Sequence, residues 1–260
     1  MTNTDIGLIG VALSGLLVVV ALGLSSVRRL GLEGSILFAA IRAALQLLVV
    51  GVALGLIVNP GAPLFYSALW VGAMIIYASV TLRRRAPEVP GAFGLGLGAF
   101  AAATLVVLGV LFGLRVFPAN GRTIVPLAGM LIGNGLNATI LAARRIVGEA
   151  ADQRATIEGR LALGLSSRQA FQPHLRSALR TALIPQIETT KAVGIVFLPG
   201  AMVGLILAGV DPADAVKIQA AVMYLVLGSV AITTSVIALG LTRRLFTPDH
   251  RLIRIARTRH

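Results

Sequence analysis

Seven polar or soft side chains sit within, or beside, stretches otherwise too apolar to hold them. Arg42 and Gln46 stand four residues apart in one apolar run and so share a helix face. Met130, Asn134 and Asn137 repeat the pattern at i, i+4 and i+7, and Gln219 opens a further apolar run. Polar groups buried in hydrocarbon are expensive and mark solute routes, though amides also bridge helices and methionines also fill packing gaps. An arginine near a bilayer centre costs about 2.5–3.5 kcal/mol even on insertion scales, so Arg42 needs a partner. Glu188 is the acid placed to be drawn in at that depth, and an Arg42–Glu188 pair would act as a structural lock or as a gate.

Other chemistries are excluded. With no cysteine, there are no disulfides or thiolates. The three histidines, His174, His250 and His260, form no pair at helical spacing, and His174 is expected at the surface. No catalytic set and no resident metal site is therefore expected. A divalent transition-metal ion favours imidazole and carboxylate ligands. The apolar runs offer little of either, so transient amide, carbonyl and Glu188 oxygens, or a chelated or organic solute, fit equally. The only lysines, Lys191 and Lys217, lie outside any Gly-x-x-x-x-Gly-Lys-Ser/Thr motif. Gly133-Asn134-Gly135-Leu136-Asn137-Ala138 spells G-x-G-x-x-A, but no strand is expected before it and no suitably placed acid follows.

These residues must be positioned by membrane helices. Of 260 residues, 57% are hydrophobic and 13% charged, about half the charged share of soluble proteins. Mean hydropathy is +0.90. The expected fold is all-α, one polytopic bundle over residues 1–260. Seven spans of about 20 apolar residues are predicted: 6–27, 34–58, 64–82, 93–114, 124–143, 192–210 and 218–242. Asp5 before the first span, and its length, argue against a cleaved signal peptide. Pro199-Gly200 is expected to unwind the sixth span, exposing carbonyls.

The net charge of +13 is one-sided. Alternate connections collect Arg28, Arg29, Arg83, Arg84, Arg85, eight basic residues over 144–191, and a tail with Arg243, Arg244, Arg251, Arg254, Arg257 and Arg259. The opposite side receives Arg115, Arg122 and Lys217. That bias predicts an amino terminus outside and a carboxyl terminus in the cytoplasm. It accounts for the charge without nucleic acid, and the tail is read as attraction to anionic membrane lipids. Glycine pairs at four-residue spacing (Gly51/Gly55, Gly94/Gly98, Gly109/Gly113, Gly129/Gly133, Gly200/Gly204) are expected to let helices approach closely.

The connection 144–191 is too long to be a simple loop. Asp152 is placed to cap a helix reaching Leu165, and Ser166-Ser167-Arg168-Gln169 is a capping box opening a second helix, expected to break at Pro173. An amphipathic pair carrying Phe171, Arg168, Arg176 and Arg180 serves either as an interfacial element on lipid or as a dock for a cytosolic partner.

The stretch from Glu158-Gly159-Arg160 to Gly164, with Ser166 to Phe171 and later Ile184-Pro185, resembles the cytoplasmic coupling motif of ABC-importer-type permeases. Glu158 and Gly164 keep the six-residue spacing, while Gly159 and Arg160 replace two alanines and the stretch to Ile184-Pro185 is longer. A wider resemblance rests on Ile41-Arg42-Ala43-Ala44-Leu45-Gln46, on Pro126-Leu127-Ala128-Gly129-Met130 with Gly133-Asn134-Gly135-Leu136-Asn137, and on Ile184-Pro185-Gln186-Ile187-Glu188 through Leu198-Pro199-Gly200 to Gly209-Val210-Asp211-Pro212 and Gln219. These are similar to the Fet-type iron-export ABC permeases, which include plant relatives linked to aluminium tolerance. The resemblance implies a homodimeric permease of the inner (plasma) membrane without an ATPase site of its own. A separate ATP-binding subunit would hydrolyse the ATP, and Glu158, Gly164, Ser166, Arg168, Phe171 and Arg176 would couple to it. The alternatives are an ion-coupled secondary transporter of a metal or small organic solute, which calls for acids deep in a span, and an intramembrane enzyme, which calls for a catalytic pair inside one.

Overall fold

Long apolar runs in hydrocarbon must satisfy their backbone internally, which leaves helices as the economical solution for a chain of this composition. The computed structural model describes residue 10, residues 13–57 and residues 63–253. The start of the first expected span, and Arg254, Arg257, Arg259 and His260, lie outside the described residues. Nine helices occur among the described residues: α1 Leu16–Val27, α2 Glu33–Ile57, α3 Leu64–Arg85, α4 Ala92–Gly113, α5 Gly121–Asp152, α6 Arg154–Ala162, α7 Ser167–Ala192, α8 Gly200–Leu207 and α9 Pro212–Leu245. No strand accompanies them there; Val193 with Phe197 and Phe246 with Leu252 form isolated bridges.

Five described helices are long and apolar enough to cross a membrane: α3, α4, α5 and α9 over their whole lengths and α2 within Glu33–Val52. The chain is an all-helical, polytopic membrane protein. The residues expected as a sixth span divide differently. α7 continues to Ala192, the backbone is non-helical over 193–199, and α8 has eight residues, about 12 Å against a core of about 30 Å. Pro199 is buried at the N-cap of α8 and Gly200 is its first residue, so helix restarts at this pair.

The chain forms two compact units, residues 1–62 and 63–260. In the first, α1 packs on α2, and the Ser25 hydroxyl donates to Glu33 Oε1 at 2.8 Å across their connection. In the second, α9 packs on α4, α5, α7 and α8. One part of its core joins Phe100, Leu131 and Val230 midway along the long helices. The other joins Leu82, Ile146, Ile157, Phe171, Leu241 and Leu245 at the arginine-rich end.

Of the boundaries that differ from the sequence reading, three share one reason: buried stripes outlast the signals expected to end them. α5 runs nine residues past 143 because Ala142, Ala143, Ile146, Val147 and Ala150 stay buried while Arg144 and Arg145 point outward. Asp152 therefore ends α5 instead of capping the next helix. α7 runs through Pro173 and Pro185, held by buried Ala170, Phe171, Ala178 and Ala182. A proline inside a helix costs about 3 kcal/mol, which that burial offsets.

The close helix approaches also fall elsewhere than expected. A Cβ on Gly96 would meet Leu82 at 3.0 Å and Ser79 at 3.3 Å, one on Gly135 would meet Thr233 at 3.4 Å, and one on Gly240 would meet Leu95 at 2.3 Å. Among the described residues, Gly51, Gly55, Gly98, Gly109, Gly113, Gly133, Gly200 and Gly204 have nothing that near. Four-residue spacing puts two glycines on one face but does not say which face meets a neighbour.

Candidate functional site

Two regions carry the candidate residues. At the arginine-rich end, α6 and α7 form a helical hairpin whose turn is specified residue by residue. Gly164 has φ +86°, the left-handed conformation that glycine adopts without strain. Its N–H donates to the Leu161 carbonyl at 2.9 Å and the Leu165 N–H to the Arg160 carbonyl at 3.3 Å, a Schellman closure of α6. Ser166 then starts α7. Its N–H donates to Gln169 Oε1 at 3.1 Å, and the Gln169 N–H donates to Ser166 Oγ at 3.4 Å. Glu158 faces outward in an ion pair with Arg154 at 2.8 Å.

Phe171 does not face a partner. It is fully buried, its ring 5.8 Å from that of Phe246, and it anchors α7 to the end of α9. Arg168 and Arg176 are exposed along a groove between α7 and α9. His174 departs from expectation too: its side chain is only 13% exposed, with Nδ1 3.7 Å from Glu149 Oε2 and its ring beside Phe171. The helical repeat that buries Ala170 and Phe171 brings position 174 back towards the same side, a signal its polarity masked.

The hairpin has features that sequence reasoning missed. Leu163 is 80% exposed at the turn, and Leu165 is exposed beside it. Beyond α9 the chain folds back over 246–253, with the Ile253 N–H donating to the Leu245 carbonyl at 2.9 Å. The Arg154 guanidinium donates to the carbonyls of Ile253 at 3.0 Å and Leu252 at 3.1 Å, and His250 Nδ1 lies 3.0 Å from Ser167 Oγ. This return segment ties α6, α7 and α9 into one block. Contacts separated by almost 100 residues leave no local pattern.

The second region lies along the long helices. Asn120 caps α5, its Oδ1 accepting from the Thr123 N–H at 3.1 Å, which sets the rotation of the helix's candidate residues. Asn134 and Asn137 are exposed on α5, with Met130 half-buried beside them. The Asn134 amide donates to the Met130 carbonyl at 2.8 Å. On the opposite side of α5, Gly135 lies against Thr233 of α9. Thr233 and Thr234 are sealed in the core and donate back to the Val230 carbonyl at 3.2 and 2.7 Å, so they serve packing and not a solute route. Gln219 is 5% exposed, and among the described residues its Oε1 has no hydrogen-bond partner.

Glu188 is exposed on α7 and bonded to Lys191 at 2.9 Å. Arg42 belongs to the other unit, exposed on α2 with its guanidinium 6.0 Å from the Phe38 ring centre. Among the described residues no three of His, Asp and Glu come together as a metal site.

An all-helical chain with several helices long and apolar enough to cross a membrane is a polytopic membrane protein, and its relatives put it among the membrane permeases. It belongs to the uncharacterised protein family UPF0014, whose model matches residues 8–246. It is 38% identical over 221 residues to the UPF0014 membrane protein STAR2 of rice, covering 84% of this chain and 76% of that one. It is 33% identical over 246 residues to the probable iron export permease protein FetB of Escherichia coli, covering 93% of each. It is also 33% identical over 229 residues to the protein ALUMINUM SENSITIVE 3 of Arabidopsis thaliana, covering 88% of this chain and 83% of that one. No solved structure gives a significant match.

Proposed function

We propose that this permease is the membrane subunit of an ABC transporter that exports metal ions, iron first, with ATP hydrolysed on a separate subunit. The observation that carries the reading is the α6–α7 hairpin. It presents Leu163 and Leu165 outward at the arginine-rich end while Ile157 and Phe171 bury its other side in the core. A rigid element with an apolar tip, rooted in the bundle, is what transmits a push from a partner. The 260 residues contain no phosphate-binding loop motif, which agrees with a reading in which a separate subunit hydrolyses the ATP. The name of the E. coli relative supports iron as cargo and export as direction.

Seven passes complete the topology. The positive-inside bias supports an amino terminus outside, and in this reading α7 together with α8 serves as the sixth pass, broken at 193–199. The host membrane is the inner (plasma) membrane. Asn134 and Asn137 face away from the core formed by residues 63–260, where lipid would leave their amide oxygens without donors. A second copy covering that face would form a homodimer whose solute route runs between the subunits, lined by Met130, Asn134 and Asn137.

The test is export from vesicles reconstituted with this chain and its ATP-binding partner, comparing ferrous iron, other divalent metals and chelated iron. ATP-dependent movement of ferrous iron, lost when residues 154–166 are replaced by a flexible linker, is the expected result. Transport that persists without the partner, driven by a proton or sodium gradient, would overturn it.

A further inference from the structure

Between α7 and α9 at the arginine-rich end lies an open groove of about 510 Å³. Leu179 and Leu239 lie along it, with Leu239 58% exposed on a membrane-crossing helix. Arg168, Arg176, Arg243 and His250 also line it, and no acid does. Asp249 belongs to the adjoining concavity with Arg154 and Glu158. Among the described residues no carboxylate pairs with Arg168, Arg176 or Arg243.

We infer that this groove seats one anionic phospholipid, its phosphate among the arginines and an acyl chain along Leu179 and Leu239. Three arguments select this occupant. The cations sit where the apolar part of α9 gives way to Arg243, the depth of a lipid phosphate. An apolar side chain exposed on that helix is already in hydrocarbon, so a lipid tail reaches it laterally while a soluble anion leaves it uncovered. Three unneutralised guanidiniums within one groove repel one another, and a phosphodiester relieves that while accepting bidentate hydrogen bonds. The inference needs only the membrane setting and not the ABC reading. Bound there, the lipid would bridge the coupling hairpin to the last crossing helix.

Native mass spectrometry of the purified full chain in detergent would count retained lipids. Phosphatidylglycerol, phosphatidylcholine and inorganic phosphate are added in parallel. One phosphatidylglycerol retained in preference to phosphatidylcholine is expected, with phosphate failing to compete at equal concentration. Each arginine near an anionic headgroup contributes about fivefold, so Arg176→Ala with Arg243→Ala should reduce that preference about 25-fold. The control Arg84→Ala, on α3 and outside the groove, should leave it unchanged. Leu239→Trp, which fills the groove and keeps every charge, should displace the lipid as well, so a folding defect in the double variant leaves a second route to the answer. Equal retention of both lipids, displacement by phosphate alone, or an unchanged preference in the groove variants would each overturn the inference. Loss of the ATP-binding partner in those variants with lipid preference intact would do the same, assigning the groove to protein docking.

Discussion

Replacing Leu163 with asparagine separates docking from folding. Leu163 follows α6 directly and leaves four-fifths of its surface in solvent, so its removal takes almost nothing from the chain's own core. Fully burying a leucine is worth about 1.5–3 kcal/mol. Scaled to the exposed fraction, covering this side chain with a partner yields about 1.2–2.4 kcal/mol, about a sevenfold to fiftyfold change in affinity at about 1.4 kcal/mol per decade. Leu163 is an exposed C-cap with an ordinary φ of −79°, so stability should stay within about 0.5 kcal/mol. The assay is equilibrium binding of the ATP-binding subunit to the detergent-solubilised permease, with thermal unfolding of the permease alone beside it. Leu163→Asn should weaken binding by the stated factor and leave the unfolding midpoint in place. Undiminished binding, or a large fall in the midpoint, would refute the claim that the tip is an exposed docking element.

Phe171→Ala should behave oppositely, costing about 3–5 kcal/mol of stability through the cavity left against Phe246, seen as a lower unfolding midpoint before any binding defect. Gly164→Ala should cost about 1–2 kcal/mol, because alanine at φ +86° is strained, and raise hydrogen exchange at the Gly164 and Leu165 amides. Arg154→Ala removes both donors to the Ile253 and Leu252 carbonyls, so limited proteolysis should cut within 246–253 several times faster than in the parent chain. Asn134→Leu and Asn137→Leu should leave the monomer's unfolding unchanged, since both residues lie outside its core, while vesicle export falls at least tenfold if their amides line the route.

The sequence by itself determined the solvent: a chain this apolar, with charges gathered in alternate connections, belongs in a bilayer whatever its tertiary contacts. It also determined features encoded within one turn. The Ser166 capping box forms as its four residues predict, and the glycine six places after Glu158 occupies the one position of the turn where φ is positive. Such signals depend on neighbours a few residues away, so they can be read in order along the chain. Only the tertiary structure decided which faces meet. It buried Phe171, half-buried His174, sealed Thr233 and Thr234, and left Asn134 and Asn137 outside. It placed the tight helix approaches at Gly96, Gly135 and Gly240, and none of these belongs to a four-residue pair singled out beforehand. The physical reason is uniform hydrophobicity. In a soluble helix the apolar stripe points to the core, whereas in a membrane helix lipid accepts every apolar face equally, so rotation is set by packing against neighbours that lie distant in sequence.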